Sequence, residues 1–185
     1  MDDFEARLAR FFYDPDEDVS ELLQLGEAAA PPRLQVEPRE EYLAFALGDE
    51  RFLVPLVGVR EVGRVPPLTE IPHAPHGLLG VMRLRGELLP VYDPACLLGM
   101  SEAPRVLAHP SAAPAPRAAR VLVVYAQAGD AGLLVDLLLG VVRLPQAAFS
   151  PPGPGVVRTG RAAVSALGHH EGRLHCLLDV EELLA

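Results

Sequence analysis

Apolar and polar positions alternate in short runs along the body of this 185-residue chain, and the runs come in matched pairs. Residues 42–56 read "YLAFAL", then "GDE", then "RFLVPL". A run of strand-forming residues, a Gly-Asp turn signal and a second run predict a β-hairpin. The same layout returns over residues 120–139 as "RVLVVYAQ", "AGDA" and "GLLVDLLL". Gly48-Asp49 lies over Gly129-Asp130, and Phe52-Leu53-Val54 over Leu133-Leu134-Val135, at a separation of 81 residues. Downstream, "RGELLPVYDPACLL" lies over "EGRLHCLLDVEELL" at a separation of 86, aligning Gly86 with Gly172, Leu88 with Leu174 and Asp93 with Asp179. Two copies of one β unit are too few for a solenoid, which needs three or more to bury a continuous core. The pattern therefore predicts an all-β chain of two small packed barrels. Each copy ends in an Asp followed by a leucine pair, as expected for a capped short helix whose leucines pack back on the barrel.

The flanking regions divide the chain. Residues 1–40 form an acidic extension expected to be partly disordered, although Phe4, Leu8 and Phe11 or Phe12 recur at helical spacing and Ser20 could cap a short helix. The first barrel is expected at about 41–99 and the second at about 120–185, with exchange of strands between them left open. Between them, "MSEAPRVLAHPSAAPAPRAA" reads as a loop, because its prolines remove backbone donors and resist both helix and ladder.

Charge narrows the function classes. Residues 1–40 carry eleven acids and four arginines, whereas 41–185 carry fourteen acids and twelve arginines, so the net charge of −9 resides mostly in the extension. A nearly neutral body without a basic stripe cannot neutralise phosphates, which argues against binding nucleic acid. The longest apolar run, residues 131–142, is interrupted by Gly132, Asp136 and Gly140 and falls short of the roughly 20 residues of a membrane span. No membrane insertion is expected. The acidic start lacks the apolar core of a secretory signal, so a cytoplasmic location is expected. Cys96 and Cys176 sit in apolar surroundings and read as reduced thiols.

Side chains demanded by the fold should recur in both copies, and charges found in one copy are freer to serve something else. Gly86 and Gly172 recur, as a turn requiring positive φ would demand. Glu61 instead lies over Val142, and Arg85 over Glu171. Arg60, Glu61, Arg83 and Arg85 thus have no counterpart of the same sign. They are either solvated strand charges or a recognition patch in which Glu61 and Arg85 hold each other and Val59 and Val62 form an apolar rim. Rival chemistry finds no frame. His73, His76, His169, His170 and His175 lack metal-ligand spacing, Ser165 lacks a nucleophile elbow, and "PPGPGVVRTG" lacks the lysine of a phosphate loop. No catalytic residue, metal or cofactor is expected.

Taken together, "EYLAFALGDERFLVPLVGVREV", "LTEIPHAPHGLLGVMRLRGELLPVYDPACLLG", "AGLLVDLLLGVVRL" and "RLHCLLDVEELL" resemble the CheW family of chemosensory coupling proteins. The likeness covers essentially all of 41–185, and its most specific part joins "IPHAP", "RLRG" and "LPVYD". It implies two five-stranded SH3-like barrels with short helical segments, no catalysis, and partners of two kinds: methyl-accepting chemotaxis receptors and the regulatory domain of a CheA-type histidine kinase. It places the receptor contacts at Val59, Glu61, Val62 and Arg85. The chain departs from the family pattern at Arg83, where Asn is usual, at Pro55, in the long Pro/Ala loop and in the acidic extension. The alternative from another class is a small β-barrel enzyme or ligand-binding protein, which would require a deep polar pocket.

Overall fold

The computed structural model describes residues 38–105, 117–153 and 162–185. The extension up to residue 37, the segment 106–116 and most of "PPGPGVVRTG" lie outside the described residues, so the expectations for them stay expectations. The strands are β1 Arg39–Leu47, β2 Glu50–Pro55, β3 Val59–Arg64, β4 Leu78–Leu84, β5 Glu87–Tyr92, β6 Arg120–Val124, β7 Ala131–Val135, β8 Leu137–Pro145, β9 Phe149–Ser150, β10 Val164–His170 and β11 Arg173–Leu178. Among the described residues two short helices begin directly after the aligned Asp93 and Asp179 and run into the leucine pairs, α1 Pro94–Leu97 and α2 Val180–Leu184. β1 begins at Arg39, two residues inside the acidic segment.

Each sheet draws strands from both halves of the chain. The six-stranded sheet runs β8-β1-β2-β11-β10-β9 and the five-stranded sheet β3-β6-β7-β5-β4. The first hairpin of each copy therefore pairs with the later strands of the other. The registers repeat with the sequence. Glu61 opposes Val123 and Val62 opposes Leu122, just as Val142 opposes Tyr42 and Arg143 opposes Glu41, every partner displaced by 81. The pairing of β4 with β5 skips between Leu78 and Gly80, and that of β10 with β11 skips between Val164 and Ala166, both displaced by 86. Even the β-bulges are duplicated, as expected of features that set strand curvature.

The main core lies between the two first hairpins. Leu43, Phe45, Leu47, Phe52 and Val54 of the six-stranded sheet meet Leu122, Val124, Leu133 and Val135 of the five-stranded one. Phe45 and Phe52 sit directly opposite each other with stacked rings 5.9 Å apart. The alternate residues serve smaller clusters behind each sheet: Tyr42, Ala44 and Leu53 on one side, Val121, Val123 and Leu134 on the other. Strands buried on both faces carry unbroken apolar runs, which explains why "YLAFAL" and "VLVV" lack polar alternation. Fully burying one such Leu, Val or Phe contributes about 1.5–3 kcal/mol, so the hairpin pair dominates stability.

The helices are capped as the sequence predicts. Asp93 accepts from the Ala95 amide, and Asp179 from the amides of Glu181 and Glu182. Their surroundings differ. Asp93 is 1% exposed, whereas Asp179 is open to solvent.

Candidate functional site

β3 is an edge of the five-stranded sheet, and its register to β6 passes from Val59–Val124 directly to Glu61–Val123. Arg60 is the extra residue of this bulge. A bulge re-aims its side chain, and Arg60 donates to Asp130 at 2.6 Å in the β6–β7 turn and to Glu87 at 2.8 Å at the start of β5. Those hydrogen bonds, Asp130 first, hold the Arg60 guanidinium above the ordinary arginine value. Of the four unmatched charges, Arg60 is thus taken up by the fold.

Arg85 and Gly86 form the two-residue turn between Leu84 and Glu87. Both have positive φ, +49° and +95°, the signature of the primed turn that suits a twisted hairpin. Glu171 and Gly172 repeat it at +49° and +71°. Both glycines occupy the predicted conformation, and the residue before each shares it, which the sequence did not reveal. Arg85 is thereby carried out at the hairpin tip, 74% exposed, and reaches Glu61, 23% exposed, at 2.7 Å.

This contact has a topological meaning. β3 and β4 stand at opposite ends of the strand order, yet Glu61–Arg85 and Arg60–Glu87 both connect β3 to the β4–β5 hairpin. The five-stranded sheet is curled until its two ends meet through side chains at a charged seam. Beside it, Val62 is 38% exposed, while Val59 is half-buried against the main core. Of the two valines, Val62 contributes more to the rim. Val57, two residues before Val59 in the 3-10 turn Leu56–Gly58, is 89% exposed, and Leu88 is 67% exposed. The sequence did not single out either residue. Arg83 is exposed on β4 and makes no ion pair among the described residues.

The other candidate groups are placed as structural elements. Cys96 is buried with its Sγ 3.2 Å from Nε2 of His76, and burial, then the charge of Asp93, pushes its thiol up. His175 is 2% exposed in β11, its Nδ1 3.2 Å from the Arg173 carbonyl oxygen, and burial lowers its proton affinity below the usual imidazole range. Ser165 donates to the Leu177 carbonyl.

The site is an ion pair between two tied elements on a sheet edge that also carries the exposed Val62. Comparison with known proteins agrees with the fold. The CheW-like domain model matches residues 41–185. The chain is 30% identical over 143 residues to Chemotaxis protein CheW of Rhizobium meliloti (strain 1021), spanning 77% of this chain and 86% of that protein. It is 38% identical over 121 residues to Protein FrzA of Myxococcus xanthus, spanning 65% and 69%. The crystal structure of the scaffolding protein TtCheW from Thermoanaerobacter tengcongensis superposes with a TM-score of 0.68 at 23% identity, over 82% of this chain and 92% of that one, which is a likeness of fold. With its duplicated β unit and the whole of 41–185 matched, the chain belongs to the CheW-like domain family.

Proposed function

We propose that this chain is a non-enzymatic adaptor that couples the cytoplasmic tips of methyl-accepting chemoreceptors to the regulatory domain of a CheA-type histidine kinase. The observation that carries the reading is the family match over the full β body, 41–185. The receptor surface is Val59, Glu61 and Val62 on β3 with Arg85 from the β4–β5 tip, and it works in the cytoplasm without cofactor. No helix among the described residues is long and apolar enough to cross a membrane.

An adaptor transmits a signal only if one partner changes the free energy of contact with the other. That demands surfaces with a fixed mutual geometry. The charged seam offers such a surface, because Glu61 is held by Arg85 while its neighbour Arg60 is anchored at two carboxylates. An exposed ion pair contributes only about 0–1 kcal/mol to stability. Its partners can therefore be changed without loss of the fold.

The test is binding of the full chain to a receptor tip fragment and, separately, to a kinase regulatory domain. Arg85→Glu should weaken receptor binding about tenfold or more, the scale of one lost charge contact at an interface, and leave kinase binding and melting temperature nearly unchanged. A collapsed melting temperature would assign the pair to stability. Absence of wild-type binding to both partners would refute the adaptor.

A further inference from the structure

The densest polar network in the described structure lies away from the charged seam and centres on Arg105, in the Pro/Ala segment that joins the two halves. Its backbone amide and Nε donate to Oδ2 of Asp93 at 3.0 and 2.9 Å. Nη2 donates to Oδ1 of Asp93 at 2.8 Å and to the Leu134 carbonyl at 2.9 Å, while Nη1 pairs with Asp136. The other carboxylate oxygen of Asp136 accepts from the Gly48 amide at 2.7 Å, and the Asp136 amide donates to the Ala46 carbonyl at 3.1 Å. One guanidinium thus joins three junctions: the end of β5, the step from β7 to β8, and the β1–β2 turn.

The β7–β8 step is where the chain leaves the five-stranded sheet for the six-stranded one, through the single residue Asp136. The first copy makes the corresponding passage from β2 to β3 through Pro55 and the 3-10 turn, with no such clamp among the described residues. The contrast extends to the caps, since Asp93 is buried beneath Arg105 and Asp179 is capped in the open. Burial opposes the Arg105 charge, but the hydrogen bonds and charge of Asp93, aided by Asp136, hold its proton affinity above the ordinary arginine value. The planar fork is what allows one side chain to bind Asp93 at two oxygens and reach Asp136 as well. A lysine ammonium cannot do this.

We propose that Arg105 is the positioning residue that locks the angle between the two sheets, and with it the relation of the β3 seam to surfaces on the six-stranded sheet. The lock stands on the contacts alone. Only its consequence for coupling rests on the adaptor reading.

The test uses the full chain as wild type, Arg105→Lys and Asp136→Asn. The last variant weakens one arm of the clamp and leaves the Asp93 contacts in place, so it remains informative if Arg105→Lys folds poorly. Residual dipolar couplings of backbone amides report the orientation of one sheet against the other. Wild type should fit a single alignment tensor, whereas in the variants the two sheets should require different ones, with faster exchange of the Gly48 amide. One common tensor in both variants overturns the lock. The second arm measures receptor-tip affinity with and without bound kinase regulatory domain. A wild-type coupling of about fivefold or more should fall to about one in the variants, with each separate affinity within about twofold. Loosened sheets with unchanged coupling would overturn the functional half. Wild type that binds neither partner would sink the adaptor reading, while the dipolar couplings still decide the lock.

Discussion

The two sheets are built from duplicated strands and finished differently. In the five-stranded sheet β3 meets the β4–β5 hairpin through Arg60, Glu61, Arg85, Glu87 and Asp130, of which Arg85 and Glu87 are exposed and the other three mostly covered. In the six-stranded sheet the counterpart of Glu61 is Val142, which packs with Ala148 on an apolar cluster where Tyr42 lies against Phe149 with ring centroids 5.1 Å apart. The backbones match from Glu61 and Val142 onward but bulge at different places, since β3 skips Arg60 against β6 whereas β8 pairs Val141 with Leu43 and skips Leu139. What also differs is the purpose left to the side chains. A seam filled with rings is finished internally, whereas one closed by ion pairs keeps its partners in water, where another protein can compete for them. The outward residues of β8, Leu137, Leu139 and Val141, carry no charge, and its one ion pair, Arg143–Glu41, sits near its end.

The contrast is broken most forcefully at the caps. Asp93→Ala should cost about 2–4 kcal/mol, from the lost cap and the charge-assisted hydrogen bonds of Arg105, while Asp179→Ala should cost about 1 kcal/mol, the cap alone. Urea denaturation of the two variants checks this, and equal losses would mean that the buried clamp adds nothing. The turns test the shared part of the design. Gly86→Ala and Gly172→Ala each force a side chain into a positive-φ position and should cost about 1–2 kcal/mol in both copies, seen as similar drops in melting temperature.

A titration separates the copies again. His175 occupies the position that Leu89 holds in the first copy, and burial lowers its proton affinity when folded. Protons therefore favour the unfolded chain. The stability from the neutral ring is complete above the unfolded value near 6.5 and is lost as pH falls from there toward the folded value, with a slope of at most about 1.4 kcal/mol per pH unit. Unfolding free energies at several pH values should show this decline, and His175→Leu should remove that part of it. The smallest effect is expected at Val141, which lies over Arg60 and is 52% exposed. Val141→Arg should alter stability by no more than about 0.5 kcal/mol in a thermal melt, since no carboxylate pair awaits it as Asp130 and Glu87 await Arg60.

Much of this was legible in local patterns. The Gly-Asp turns, the alternating runs and the two fixed separations marked the hairpins and the duplication, and the unmatched signs of Glu61 and Arg85 marked the pair. Other features left no local trace. Pairing of β1 with β8 joins residues about a hundred positions apart, so no periodicity announces it. Arg60 looked equivalent to its neighbours until a bulge directed it to Asp130. Arg105 was hidden in a run of prolines and alanines that reads as loop, and nothing in the two aligned Asp residues told which would be buried.

The reciprocal loan of hairpins also has a meaning in time. During synthesis β1 and β2 emerge first, but their neighbours β8 and β11 start at Leu137 and Arg173. At a ribosomal pace of roughly 5–20 residues per second, the stretch from Pro55 to Leu137 takes on the order of 4–16 s. For that interval the first hairpin has no sheet to join. The nascent chain must keep this apolar hairpin from straying until the second half arrives to claim it.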